Sequence, residues 1–209
     1  MATPIAIFEN AWVRCDLLST MYAYLAGNAT RAIQPEELLR AEWVARVSTL
    51  DLYIHELVAQ RMVDVFNGTR QVTPAFNRFA VSNETMSRIR LAPSQDEARK
   101  AFELEVRRQL SVVTYQMPDS IADGIRMVSS VELWNSIVIH QGVQSKDVVR
   151  KAKELKRNLA MIIERRNKIA HEGDMQPSIP RIPWPIDQSE LLTVRQVIDA
   201  VVRAIEAVA

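Results

Sequence analysis

Three residues whose types suit a reaction at a phosphate lie close together in the C-terminal half of the chain: Arg166, Asn167 and His171. An imidazole changes its charge near neutral pH, so a histidine can accept or donate a proton during catalysis. A guanidinium presents a fixed fork of donors that matches phosphate oxygens and stabilises negative charge. Arg166 and His171 are therefore the first candidates for a catalytic pair.

The helical periodicity around this pair makes Arg166 an unusual arginine. It continues a stripe of otherwise apolar residues, whereas Arg165 lies about 100° away, on the side where we expect solvent. A charge on a packed face is costly unless it is paired or lines a cleft or an interface. The stripe consists of Leu155, Leu159, Ile162, Arg166 and Ile169.

His171 lies five residues after Arg166, which is about 140° around a regular helix. The two side chains therefore converge only if the helix loosens near His171, or if a second copy of the motif faces the first. Gly173 follows closely, so both arrangements are open. A histidine near a helix C-terminus also has a purely structural interpretation, because a cation there complements the helix dipole.

The segment 145–173 concentrates positive charge in a chain whose net charge is only +1. It contains nine basic and four acidic residues, and five of the six lysines of the chain. Such a field attracts a polyanion at short range, although a solvated basic face of an ordinary helix explains the pattern equally well. The candidate contacts with such a polyanion are Lys151, Lys153, Lys156, Arg157, Arg165 and Lys168.

Composition limits the class of protein. Hydrophobic residues make up 48% of the chain and charged residues 24%, which is ordinary for a globular protein with a core. The single Cys15 excludes an internal disulfide. The start of the chain does not resemble a signal peptide, and no apolar run is long enough to span a membrane. We therefore expect a cytoplasmic protein with no membrane contact.

Apolar residues recur at spacings of three and four, which predicts amphipathic helices rather than strands. Proline, glycine and capping residues mark the helix ends. The predicted helices cover 5–26, 35–67, 94–116, 118–129, 131–140, 145–170 and 187–208, with an irregular segment at 71–92 that holds one short helix at most. We expect a single all-α domain over 1–209, with its N-terminal helix in 1–30 and a proline-rich connector at 177–186.

Other residues are expected to be structural. His55 begins a His-Glu pair, but Ala59 stands where a zinc helix would need a second histidine, so we expect no metal site. Three tryptophans fall in helical stripes and are predicted core residues, whereas Trp184 is predicted to clamp a neighbouring helix. The three are Trp12, Trp43 and Trp134.

The stretch from Arg166 to His171 resembles the signature of HEPN domains, an arginine and a histidine separated by four to six residues. Three longer stretches resemble the RiboL-PSP branch of that superfamily: 165–174, 47–57 on the long second helix, and 133–137 before the basic helix. They occur in the same order as in that branch, and the resemblance extends over most of the chain from Arg40 onwards.

This resemblance implies an all-α HEPN-type bundle, usually a two-fold homodimer in which both motifs meet. It also implies a metal-independent endoribonuclease without a cofactor, often a toxin or an antiviral defence protein with an antitoxin or defence partner. Arg166 would stabilise the phosphorane transition state, His171 would act as general acid–base, and Asn167 would orient one of them. Gly173 stands where members controlled by nucleotidyl modification carry a tyrosine, so that control is not expected.

Two alternatives stay open at this point. The chain could be a non-catalytic HEPN module that binds RNA or a protein partner, or a helical scaffold in which the Arg166–His171 spacing is a coincidence. The presence of all three residues of the motif favours the enzyme over the binding module, because a protein that only binds need not retain them.

Overall fold

The described part of the chain in our computed structural model, residues 2–28, 30 and 33–209, forms eight α-helices and no strand. The one β-type contact there is an isolated bridge between Met175 and Pro183. The predicted all-α class is therefore confirmed. The helices are α1 (Pro4–Asn28), α2 (Glu36–Phe66), α3 (Asn83–Arg90), α4 (Gln95–Leu110), α5 (Pro118–Arg126), α6 (Leu133–His140), α7 (Val148–Glu172) and α8 (Gln188–Val208).

The long helix α2 is the centre of the bundle and contacts α1, α4, α5, α7 and α8. Along α2, apolar residues recur at spacings of three and four, and the stripe that they form faces the core, with Arg61 within it half-buried. The helix ends before Gly68, whose positive φ of 74° is a conformation that glycine adopts without strain. The buried apolar members of the stripe are Trp43, Val47, Leu50, Ile54, Leu57 and Val65.

Several helix ends differ from those predicted, those of α4 and α1 among them. Helix α4 ends at Leu110 instead of reaching Gln116, because Asp51 on α2 accepts hydrogen bonds from the Tyr115 amide (2.6 Å) and from Gln116 Nε2 (3.1 Å). These bonds give the chain polar partners outside the helix. Helix α1 continues through Gly27 to Asn28, whose side-chain amide donates to the carbonyl of the preceding turn.

Asp187 and Glu190 stand at the spacing of a capping box, and this box is fully formed at the start of α8. Asp187 Oδ1 accepts from the amides of Ser189 (2.8 Å) and Glu190 (3.0 Å), and the Glu190 carboxylate accepts in turn from the Asp187 amide (3.3 Å). The pKa of Asp187 lies below its ordinary value, mainly because the Ser189 side chain donates a hydrogen bond to the carboxylate. The beginning of α8 is therefore fixed locally, next to the proline-rich segment.

A buried ionic cluster that sequence patterns did not predict joins α1, α2 and α8. Glu42 and Arg46 are both fully buried and form a 2.9 Å ion pair one turn apart on α2. Arg195 of α8 reaches Glu42 at 2.6 Å, and the Arg46 guanidinium lies 4.2 Å from the centre of the Trp12 ring. Trp43 and Trp134 are core residues as predicted, whereas Trp12 is half-buried rather than buried.

None of the helices in the described residues has the length and the apolar character that a membrane span requires.

Candidate active site at the end of the basic helix

Helix α7 carries all three motif residues. It begins at Val148 and not at the predicted Ser145, because Ser145–Asp147 form a short 3-10 turn. It continues without interruption to Glu172 and is closed by Gly173 in the left-handed region, with φ 65°. Its first four turns pack on the core through Val148, Ala152, Leu159, Ile162 and Ile163.

Arg166 lies on the side of α7 that faces the core further up the helix, as the periodicity predicts, and it is half-buried. Its Nε is buried without a hydrogen-bond partner, and within the described residues its guanidinium forms no ion pair. Nη1 donates to Asn167 Oδ1 at 3.0 Å. Arg166 is therefore a cation with unused hydrogen-bonding capacity.

Asn167 links the arginine to the side of the helix that carries His171. Because α7 stays regular to Glu172, the helix does not loosen before His171, and the two motif side chains start about 140° apart. Asn167 and His171 are four residues apart, so their Cβ atoms are neighbours at roughly 5–6 Å. The Arg166–Asn167 bond turns the guanidinium toward this side, where His171 is exposed.

Arg165 does not face solvent, contrary to the prediction. Its side chain is only 20% exposed and forms ion pairs with Glu190 (2.8 Å) and Asp174 (3.2 Å). It also lies 5.0 Å from the Trp43 ring centre. The chain after α7 folds back over this side, which the local periodicity of α7 alone does not reveal. Arg165 is thus held by ion pairs within the protein, and its contact with RNA stays a prediction.

The other candidate RNA contacts on α7 fall into two groups. Lys151 pairs with Glu154 at 3.0 Å, and this hydrogen bond lowers the pKa of Glu154; Lys156 pairs with Asp119 at 2.7 Å. A second group is exposed and forms no ion pair within the described residues. We call this second group, Lys153, Arg157 and Lys168, the basic stripe.

The basic stripe runs along the same side of α7 as His171. By helical periodicity its members and His171 fall within about 60° of one another and extend over ~27 Å. Glu164 is also exposed on this side. The stripe gives a polyanion a path of attractive charge that ends at the motif.

Asp174 is a residue that sequence analysis missed. It lies one position after the glycine cap, is 1% exposed and has a positive φ of 55°. Its Oδ2 accepts from Arg40 Nε (3.2 Å) and Arg165 Nη2 (3.2 Å). No sequence pattern predicts this burial, because both partners belong to helices whose contact depends on the tertiary fold.

The proline-rich connector is docked through its backbone. The Trp184 amide donates to the Asp174 carbonyl at 2.8 Å, and the Trp184 carbonyl accepts from Arg40. The Trp184 residue itself remains 42% exposed. At this position it is therefore the backbone that makes the polar contacts described above.

His55 occupies the structural place that was expected. Its Nε2 lies 3.5 Å from Asp51 Oδ1, and its ring is 4.8 Å from that of Tyr115, measured between centres. Within the described residues, no three His, Cys, Asp or Glu side chains come together as a group that could hold a metal ion.

The described residues form an all-α bundle, and HEPN domains are helical. The family model RiboL-PSP-HEPN matches residues 13–208, and the chain belongs to this family. HEPN domains are frequently ribonucleases, and they bind RNA or partner proteins. Comparison with curated proteins and with solved structures gave no match.

Proposed function

We propose that this protein is a metal-independent endoribonuclease whose site consists of Arg166, Asn167 and His171. The observation that supports this most directly is the bond from Arg166 Nη1 to Asn167 Oδ1, which directs an otherwise unpaired guanidinium toward the exposed side of His171. A phosphate at this place would meet a fork of donors and an imidazole together.

The proposed reaction is transesterification within RNA. His171 accepts the proton of the 2′-hydroxyl as its oxygen attacks the phosphorus, or donates a proton to the 5′-oxygen as the P–O5′ bond breaks. Arg166 stabilises the negative charge of the phosphorane, and Asn167 orients Arg166. The products are a 2′,3′-cyclic phosphate and a free 5′-hydroxyl. We place the activity in a toxin or antiviral defence role, with an antitoxin or defence protein as partner, on the basis of the family.

The experiment that tests this function is cleavage of a single-stranded RNA in the presence of EDTA. We expect cleavage of RNA and none of DNA of the same sequence, which lacks the 2′-hydroxyl nucleophile. Mass spectrometry of the product should show the cyclic phosphate. RNA that is bound but stays intact under these conditions would instead make the protein a non-catalytic RNA-binding module.

We also propose a two-fold homodimer in which the two Arg166 side chains lie near the axis. Because α7 stays helical to Glu172 and the two motif side chains start about 140° apart, a facing copy would bring a second histidine opposite each arginine and complete the site from its other side. The buried Arg166 Nε without a partner is consistent with a group completed by another molecule. Light scattering at micromolar concentration should give twice the mass of the chain; a monomer with both motifs exposed would contradict this arrangement.

The basic stripe should control RNA binding more than turnover. Replacing Lys153, Arg157 and Lys168 with glutamine should reduce the slope of log K against log salt by about 2, since each phosphate contact on single strands contributes about 0.7. The rate at saturating RNA should change by less than about fivefold, because the stripe approaches the motif without forming it.

The matched control for this triple variant removes two lysines that are already paired. Lys151→Gln combined with Lys156→Gln should change the salt slope much less, because these ammonium groups are held by Glu154 and Asp119. Equal slopes for the two variants would show that the stripe is not the binding path. Binding is measured by fluorescence anisotropy of a labelled RNA over a range of salt concentrations.

A further inference from the structure

The last two turns of α7 have little packing to hold them. After Ile163 no residue of the helix is buried, and Ala170, on the same side as Ile163, is exposed. Ile169 alone contributes a partly buried apolar side chain to the core. Helix ends with few apolar contacts fray, and fraying here would separate His171 from Arg166 and Asn167.

The chain directly after this end is fixed by buried charge. The Asp174 amide donates to the Lys168 carbonyl at 3.1 Å, which closes the last turn, and the Asp174 carboxylate lies between Arg40 and Arg165. Arg40 on α2 is 8% exposed in its side chain. Asp174 thus connects the end of α7 to the central helix of the bundle.

The same two arginines hold the segment that follows. Arg40 donates to the Trp184 carbonyl, and Arg165 donates to the Pro185 carbonyl at 2.6 Å and pairs with Glu190 at the start of α8. The Asp174 carboxylate is therefore the anion that both arginines share, in a cluster that connects α2, α7, the proline-rich segment and α8. Removing its charge leaves two guanidinium groups close together without their common partner.

We propose that Asp174 is a positioning residue for the reaction: by anchoring the end of α7, it holds His171 at a fixed place relative to Arg166 and Asn167. This rests on the proposed function. Asp174 lies three residues after His171, so no more than about 11 Å of chain separates the anchor from the imidazole-bearing residue. A displacement near 1 Å at a catalytic group can reduce the rate about 100-fold.

The test compares Asp174→Asn with Glu42→Gln in the full chain. Both changes remove the charge of a buried carboxylate that lies between two arginines, but Glu42 belongs to the cluster of α1, α2 and α8 and not to the end of α7. Two readouts are used: amide hydrogen exchange of 166–173 followed by mass spectrometry, and the steady-state kinetics of RNA cleavage.

For Asp174→Asn we expect exchange in 166–173 to become at least tenfold faster, kcat to fall by about 10- to 100-fold, and KM to stay within about threefold. Glu42→Gln should leave the relative protection of 166–173 and kcat unchanged. Wild-type exchange in the Asp174 variant, or faster exchange with an unchanged kcat, would overturn the proposal, as would an equal fall of kcat in the control.

If Asp174→Asn fails to fold, a second variant tests the same role of Asp174. Arg40→Lys keeps the positive charge but removes the Nε donor to Asp174, and it should produce the same pattern to a smaller degree. If the wild-type protein cleaves no RNA, the proposed function fails by itself; the exchange measurement then still decides whether Asp174 anchors the helix end.

Discussion

Replacing His171 with alanine should slow RNA cleavage by about 10²- to 10⁴-fold, which is the usual contribution of a positioned acid–base group. The effect should be on kcat, because His171 transfers a proton and does not supply the main binding energy. The protein should keep its fold, since His171 is exposed in the last turn of α7.

The measurement is a time course of cleavage of a labelled RNA with EDTA present, under single-turnover conditions. His140→Ala is the matched control, because His140 is also an exposed histidine in the last turn of a helix, α6. It should cleave at the wild-type rate. Full activity in His171→Ala protein would end the catalytic interpretation and favour the binding module.

Replacing Arg166 with alanine should cost about 10²- to 10³-fold in kcat, the magnitude found when one donor to a developing oxyanion is removed. The loss has two physical sources: the positive charge next to the phosphorane disappears, and Asn167 loses the group that it orients. Arg166→Lys should recover only part of the rate, because an ammonium lacks the planar fork of donors.

Arg150→Ala provides the control for this second prediction. Arg150 lies on the same helix, 63% exposed and paired with Asp147, so its removal should leave kcat unchanged. Arg165→Ala is unsuitable as a control, since Arg165 belongs to the buried cluster around Asp174. Circular dichroism should show the same helix content for the Arg166 variants and wild type. An Arg166→Ala protein with wild-type kcat would remove the arginine from the mechanism.

The two predictions separate the motif from its surroundings. Loss of activity in both variants, with intact binding of RNA, would indicate chemistry at the end of α7. Loss of binding alone in both would indicate that Arg166 and His171 contact RNA without acting on it, which is the behaviour of a binding module.

Local sequence determined the helices that carry the site. The stripe of α2, the capping box at Asp187 and the glycine that closes α7 are all set by residues within a few positions of one another, and each lies where the pattern placed it. The burial of Arg166 could be predicted for the same reason, since it follows from the phase of one helix.

Contacts between distant segments were decided only by the tertiary structure. Asp174 is 134 positions from Arg40, and Glu42 is 153 positions from Arg195. Hydrophobic periodicity does not report such pairs, because it describes which side of a helix faces inward and not which charge meets it there. For the same reason the periodicity of α7 put Arg165 in solvent, where the returning chain and α8 in fact enclose it. The sequence thus determined the identity of the motif and the helix that carries it. The contacts that fix the end of that helix were decided only by folding, because the buried Asp174 carboxylate meets its partners only when α2, α7 and α8 are packed together.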